Sequence, residues 1–359
     1  MRRLKVGIVG LGEVAQVIHL PILKALADRY EVAALCDISP SLLRWAGEFY
    51  NVSHLYRDAA ELARQPDLDA VFVLNSDEYH AECAIAAARS GKHVLVEKPM
   101  TLTVADADAM IRARDESGVR IMVGYMRRYA PALLQTLEEI QTLGKIEYVR
   151  VRDIIGENRL MIEQSSVVRR FSDIPQEAAE DRGRRAKRMV DEALGDAPQP
   201  VKNSYRLLCG LNSHDLSAMR ELIGMPKRVL SAHHWNNGYY ITATFEYDGF
   251  NATFETGVDA QRRFDAHIEI FGKSKQLRLQ YDTPYIRHLP TTLHVAETVG
   301  ESFEEKVYRP TFKDPYTVEL ETFHRVVTEG EAPKTTPEDY KQDLQLFQMI
   351  CEALRKNYE

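Results

Sequence analysis

Residues 5–16 read KVGIVGLGEVAQ: a short apolar run that breaks at Gly10, Gly12 and Ala15 and then continues in a helical pattern. A strand that ends in GxGxxA and opens a helix is a phosphate-binding turn. The first glycine permits the tight reversal, the second lets a pyrophosphate approach the backbone, and the small third residue lets helix and strand pack closely. Gly10, Gly12, Glu13, Val14 and Ala15 are therefore the candidate dinucleotide contacts. Asp37, 25 residues beyond Gly12, ends the next apolar run. An acidic side chain there accepts hydrogen bonds from adenosine ribose hydroxyls and repels a 2′-phosphate, which favours NAD over NADP. Arg44 is the nearby residue that could instead approach a phosphate, and the competing role for Asp37 is a turn or helix cap ahead of Ser39-Pro40.

Outward from this turn, Val- and Ile-rich runs at 5–9, 32–36, 71–74, 93–96 and 120–124 alternate with helical patterns at 78–90 and 104–117. Gly91 and Gly118 stand where C-terminal caps belong. That alternation predicts an α/β domain over residues 1–124, a doubly wound Rossmann-type parallel sheet. After about residue 125 the pattern changes to a helix near 131–141, a strand near 146–152, and strands joined at 236–238, 248–249 and 272–274. Asn-Asn-Gly, Asp-Gly and Gly-Lys-Ser at these joints read as hairpin turns, so residues 125–359 are expected to form an α+β domain with a large open, mostly antiparallel sheet. A helix over about 337–356 closes the described pattern.

Composition excludes several functions. With 53 acidic against 46 basic residues the net charge is −7, which gives no electrostatic reason to expect nucleic acid or an anionic membrane. The run RGRRAKR at 182–188 is offset by neighbouring acids three or four residues away, as on a solvated, ion-paired helix. No apolar run is long enough to span a bilayer. Cys36, Cys83, Cys209 and Cys351 are far apart, which argues against a disulfide framework and for a reduced, cytoplasmic setting. The opening arginines and apolar stretch resemble a signal peptide, but the glycines and Glu13 interrupt it, and it reads as a strand. His80 and Cys83 lack a third ligand, so no metal site is expected.

A further motif is HVLVEKP at 93–99, a strand ending in Glu97-Lys98-Pro99 at the carboxyl edge of the sheet. Together with GIVGLGEVAQVIHLP (7–21), NSDEYHAECAIAAARSGKHVLVEKP (75–99) and GYMRRYAP (124–131), it closely resembles the Gfo/Idh/MocA oxidoreductases. The resemblance is strong over residues 4–131 and looser beyond. It implies that Lys98 sits beside the nicotinamide and the reacting hydroxyl, where an ammonium can stabilise an alkoxide and pass a proton. It also implies that Asn75, His80, Glu97, Met126 and Arg127 line the cofactor, with Arg127 reaching the substrate too.

The family's second signature is an aspartate four residues before a histidine on a helix. CGLNSHDLSAMRELIG (209–224) makes His214 the candidate general base, but the position four earlier is Gly210. Asn212, Asp215, Asp153 or Glu157 could substitute for the absent carboxylate, and Asp153 and Asn212 join Lys98, Arg127 and His214 as candidate substrate contacts. The charged stretch 154–203 and QYDTPYIRHLPTTLH at 280–294 are candidates to shape the pocket or an oligomer contact.

The implied activity is NAD-dependent oxidation of a secondary alcohol of a sugar or inositol-like polyol, in a cleft between the lobes. Two alternatives remain on the sequence: a glycosidase that retains NAD and cycles its redox state, and a non-catalytic sugar sensor on the same scaffold. A homodimer or homotetramer is expected by resemblance, through an open sheet face taken to be apolar.

Overall fold

The structure, a computed structural model, describes residues 2–358 and divides into two compact units. The first holds residues up to 124 together with 166–193 and 319–341; the second holds 125–165, 194–318 and the residues from 342 on. The sequence expectation of two consecutive domains, 1–124 and 125–359, assigned both returning segments to the second. They carry amphipathic helices, and an apolar stripe does not announce which sheet it covers.

In the first unit six strands, β1 (Leu4–Val9), β2 (Tyr30–Cys36), β3 (His54–Tyr56), β4 (Ala70–Val73), β5 (His93–Glu97) and β6 (Ile121–Gly124), pair in parallel in the order β3-β2-β1-β4-β5-β6. β4 and β6 are buried throughout, and β1 and β5 at all but one position, as a sheet covered on both faces requires. β3 escaped the sequence reading because it has three residues and no buried one. The intervening helices start and stop on chemical signals. Ser39 caps Pro40–Tyr50 by accepting from Leu42 N at 3.1 Å, Thr103 caps Val104–Ser117 through Asp106 N, and Gly118 takes a left-handed turn at the latter's end. The strand order reverses between β1 and β4, so the carboxyl ends of β1, β2, β4 and β5 define the crevice where doubly wound sheets bind ligands.

The charged run at 182–188 lies in the helix Gln176–Leu194, where Arg184 meets Glu180 and Asp181, Arg185 meets Asp181, and Lys187 meets Asp191. These i,i+3 and i,i+4 pairs are the solvated ion-paired surface its spacing predicts.

The second unit is an eight-stranded sheet in the order β14-β13-β12-β11-β7-β10-β9-β8. Its strands are β7 (Tyr148–Gly156), β8 (Arg228–Trp235), β9 (Tyr240–Glu246), β10 (Asn251–Asp259), β11 (Phe264–Phe271), β12 (Lys275–Tyr281), β13 (Thr292–Val299) and β14 (Ser302–Tyr308). Only β7 and β10 pair in parallel. β7 alternates: Val149, Val151, Asp153 and Ile155 are buried, whereas Arg150 and Arg152 on the other face are part-exposed.

That other face corrects one expectation. It is not apolar: Arg150 and Arg152 share Glu255, Arg152 also meets Asp265, and Arg150 and Arg278 approach Glu269. An alternating strand cannot report whether its outward charges stand alone or cross-link their neighbours, because the partners lie on other strands.

Candidate active site

The cofactor side belongs to the first unit. Gly10 follows β1 with φ +92°, and a Cβ built on it would come within 2.5 Å of the Asn75 backbone, so the ends of β1 and β4 meet closely here. A Cβ at Gly12, in contrast, meets nothing within 4 Å. The second glycine thus faces open space at a helix N-terminus, which is the cradle a pyrophosphate needs. Glu13 and Val14 open that helix, and Ala15 begins a π-type stretch, Ala15–His19, that runs on into Leu20–Ala25. The two glycines should separate experimentally. Gly10→Ala should lower the thermal midpoint. Gly12→Val should keep it within a few degrees yet weaken dinucleotide binding, measured by calorimetric titration, by about tenfold or more, the value of one charged backbone contact at about 1.5–3 kcal/mol. Unchanged affinity in Gly12→Val would remove this turn from the binding site.

Asp37 follows β2 with both carboxylate oxygens engaged: Oδ2 accepts from Leu11 N at 2.8 Å and Oδ1 from Ser39 N at 2.9 Å. Burial pushes its carboxyl up from the ordinary range, opposed by those two amides. It therefore ties the glycine turn to the start of the next helix.

At the end of β5, Lys98 is half-buried and its peptide bond to Pro99 is cis. Two side chains fix the backbone around it. Glu97 Oε2 accepts from Lys98 N at 3.0 Å while Oε1 meets His19 Nε2 at 2.8 Å. Burial opposes the charge on Glu97, but the hydrogen bond and charge of His19 hold its carboxyl below the ordinary range. His80, expected at the cofactor, has its ring nitrogens at Pro99 O (2.8 Å) and Asn75 O (2.9 Å) and thereby joins the β4 and β5 ends. Asn75 Nδ2 donates to Cys83 Sγ, whereas its buried Oδ1 has no hydrogen-bond partner among the described residues.

The second unit holds the other candidates. Met126 and Arg127 lie in the turn Met126–Tyr129, with Arg127 3% exposed. Its guanidinium bonds to Asp215, stands 3.6 Å from Asp153, and lies 4.6 Å from the Tyr281 ring centroid and 5.6 Å from that of Phe264. Burial works against this charge, but Asp215 and Asp153 more than offset it and raise the arginine's pKa. His214 is in the first turn of the helix Ser213–Ile223, 6% exposed, with the Tyr125 ring edge-on at 6.5 Å. Tyr125 donates to Asp343 Oδ2 at 2.8 Å and Arg220 Nε to Asp343 Oδ1 at 2.7 Å.

Open space surrounds Gly210, so nothing steric explains the absent carboxylate there. Of the four substitutes considered, Asn212, Asp153 and Asp215 are fully buried, whereas Glu157 is exposed. Asn212 Nδ2 donates to Thr256 Oγ1 at 2.8 Å, and that hydroxyl donates to Asp153 O at 2.9 Å. Asn212 Oδ1, Ser213 Oγ and Asp215 Oδ2 are buried without hydrogen-bond partners among the described residues. From 280–294 Tyr281 reaches Arg127, and Tyr281, Thr283 and Thr291 are among the residues that line a small hollow with Met126, Arg127 and Tyr316.

The sequence reading missed Tyr125, Thr256, Asp343 and His19. His19 and Tyr125, inside the matched 7–21 and 124–131 stretches, carried a local signal; Thr256 and Asp343 are defined by partners far along the chain. No group of three His, Cys, Asp or Glu side chains among the described residues is arranged to hold a metal.

A doubly wound sheet, an open glycine cradle and a lysine fixed at the sheet's carboxyl edge define a nicotinamide-dependent oxidoreductase of the Rossmann type. Residues 4–125 match the model of the Gfo/Idh/MocA oxidoreductase family with an NAD-binding Rossmann fold. It is 26% identical over 364 residues to the myo-inositol 2-dehydrogenase of Thermotoga maritima, covering 96% of this chain and 94% of that protein. It is 36% identical over 145 residues to an inositol 2-dehydrogenase of Salmonella paratyphi B, 40% of this chain and 43% of that one. The aldose-aldose oxidoreductase of Caulobacter crescentus shares the fold, with a TM-score of 0.73 at 22% identity over 99% of this chain and 98% of that one.

Proposed function

We propose that the protein is an NAD-dependent dehydrogenase that oxidises a secondary alcohol of a sugar, a sugar derivative or an inositol-like polyol. The observation that carries this reading is the buried acceptor set beside His214: Asn212 Oδ1, Ser213 Oγ and Asp215 Oδ2. Buried polar atoms left unpaired cost about 1–3 kcal/mol each, and hydroxyl groups of a polyol are the donors that would satisfy them. The inositol dehydrogenase relatives support the same substrate class.

Gly10, Gly12, Glu13, Val14 and Ala15 would hold the pyrophosphate, Asp37 the adenosine ribose, and Asn75, Glu97 and Lys98 the nicotinamide end. The bound nicotinamide supplies the hydride acceptor. His214 takes the proton of the reacting hydroxyl, and the Lys98 ammonium stabilises the oxygen as its negative charge develops. Arg127, Asp153 and Asn212 position the remaining hydroxyls. The four buried free cysteines are consistent with a reducing cytoplasm, and no helix among the described residues is long and apolar enough to cross a membrane. The family resemblance extends the reading to a homodimer or homotetramer.

Incubation of the purified protein with NAD and a panel of inositols, aldoses and glycosides tests this directly. Sustained NADH formation with one of them is expected, and His214→Asn should lower its kcat by about 10²-fold or more. Glycoside cleavage without net NADH would replace this reading with redox-cycling hydrolysis, and ligand binding without either reaction would make the protein a sensor.

A further inference from the structure

The charged stretch beginning at residue 154, to which the function above assigns nothing, returns to the first unit at 166 and runs along the crevice edge. Gln16 clasps its backbone: Arg169 N donates to Gln16 Oε1 at 2.8 Å, and Gln16 Nε2 donates to Arg169 O at 3.1 Å and to Leu11 O at 2.8 Å. Arg170 pairs with Glu13 of the glycine turn at 2.5 Å. Three residues on, Asp173 reaches the start of the helix Pro40–Tyr50. Its Oδ1 accepts from Ser39 Oγ at 2.5 Å and its Oδ2 from Ser41 N at 2.8 Å. Beyond it, Asp181 accepts from Tyr79 OH at 2.8 Å, and Arg185 meets Glu82 and lies over the Tyr79 ring. The segment thus touches the loops after β1, β2 and β4.

Position matters here because the turn after β2 is where dinucleotide sites distinguish a free ribose 2′-hydroxyl from a 2′-phosphate. A 2′-phosphate would be held by the hydroxyl and amide donors of this turn and by the positive end of its helix. Pro40 has no N–H and Leu42 N is taken by Ser39 Oγ, while Asp173 occupies Ser39 Oγ and Ser41 N and also accepts from the Ser41 side chain. Asp37 contributes a second carboxylate at the same turn through Ser39 N. We propose that Asp173 is a specificity-determining residue for the cofactor: its carboxylate fills the place a 2′-phosphate would take and so restricts the protein to NAD.

The electrostatics agree. The hydrogen bonds from Ser39 and Ser41 hold the Asp173 carboxyl down at about 2, so it is charged throughout the working pH range. Its charge is also one of the influences that raise Asp37, after that residue's burial. A phosphate brought to this turn would therefore meet two neighbouring carboxylates, and like-charge juxtaposition is an effective way to reject a competing ligand.

This inference rests on the dehydrogenase reading only in requiring a dinucleotide site, and the test separates the two. NAD+ and NADP+ are titrated calorimetrically into the wild type, Asp173→Ala and the double variant Asp173→Ala/Ser39→Ala, with thermal melts to confirm folding. The wild type should prefer NAD+. Asp173→Ala should shift the Kd ratio toward NADP+ by about tenfold or more through tighter NADP+ binding, and the added Ser39→Ala should reverse part of that gain because a freed donor is lost again. An unchanged ratio in Asp173→Ala, or equal weakening of both dinucleotides, overturns the selectivity role while leaving the dehydrogenase intact. Failure of the wild type to bind either dinucleotide overturns both readings. If Asp173→Ala does not fold, Asp173→Asn supplies the same comparison, since it keeps the acceptor oxygen and removes the charge.

Discussion

Lys98→Met is expected to lower turnover by about 10³-fold or more while leaving the fold intact and dinucleotide affinity within a few-fold of the wild type. Methionine keeps an unbranched stem of similar length and removes only the charge and the transferable proton. The backbone that carries residue 98 is held independently of its side chain, by Glu97 Oε2 on the residue 98 amide, by His19 on Glu97, and by His80 on Pro99 O. The loss should therefore fall on the chemical step. Single-turnover NADH formation read beside a calorimetric NAD titration checks this. Retention of a tenth or more of the wild-type rate would mean that the ammonium takes no part in the chemical step, and a loss of rate no greater than the loss of affinity would confine Lys98 to holding the nicotinamide. A second comparison probes its support: Glu97→Gln keeps the acceptor for Lys98 N but removes the charge that faces His19, so its effect should be smaller than that of Lys98→Met.

The elements legible in the sequence are those whose cause is local. Gly10, Gly12 and Ala15 announce a turn because their spacing meets the steric demands of three consecutive contacts, and Lys98 announces itself because a buried strand ends at it. The hairpin at 236–238 was equally legible, since Asn236, Asn237 and Gly238 all have positive φ. Asp153 was partly legible: in YVRVRDII the alternation places an aspartate on the same face as Val149, Val151 and Ile155, where an apolar residue belongs. What the sequence could not show is who meets it. Arg127 and Asp215 are 88 positions apart, and Asp173 and Ser41 are 132 apart, so their pairing depends on the closure of whole sheets. The return of 166–193 and 319–341 to the first unit is hidden for the same reason.

The largest stability effect should come from Arg127→Ala, a loss of about 3–5 kcal/mol. Asp153 and Asp215 are both fully buried, and Arg127 is the cation that faces both of them. Its removal leaves two carboxylates close together in a desolvated place, which costs far more than the pair contributed when complete. In a chain of this size the thermal midpoint should fall by about 4–7 °C. Arg127→Lys should rescue only part of it, since a single ammonium cannot reproduce the planar fork or the packing on Tyr281 and Phe264. Without the guanidinium, two buried carboxylates are left without the cation that faced both of them. Asp215→Asn added to Arg127→Ala should recover stability, because it removes one of the two stranded charges. A deficit that Asp215→Asn does not relieve would show that Arg127 acts only as packing, through its contact with the two rings.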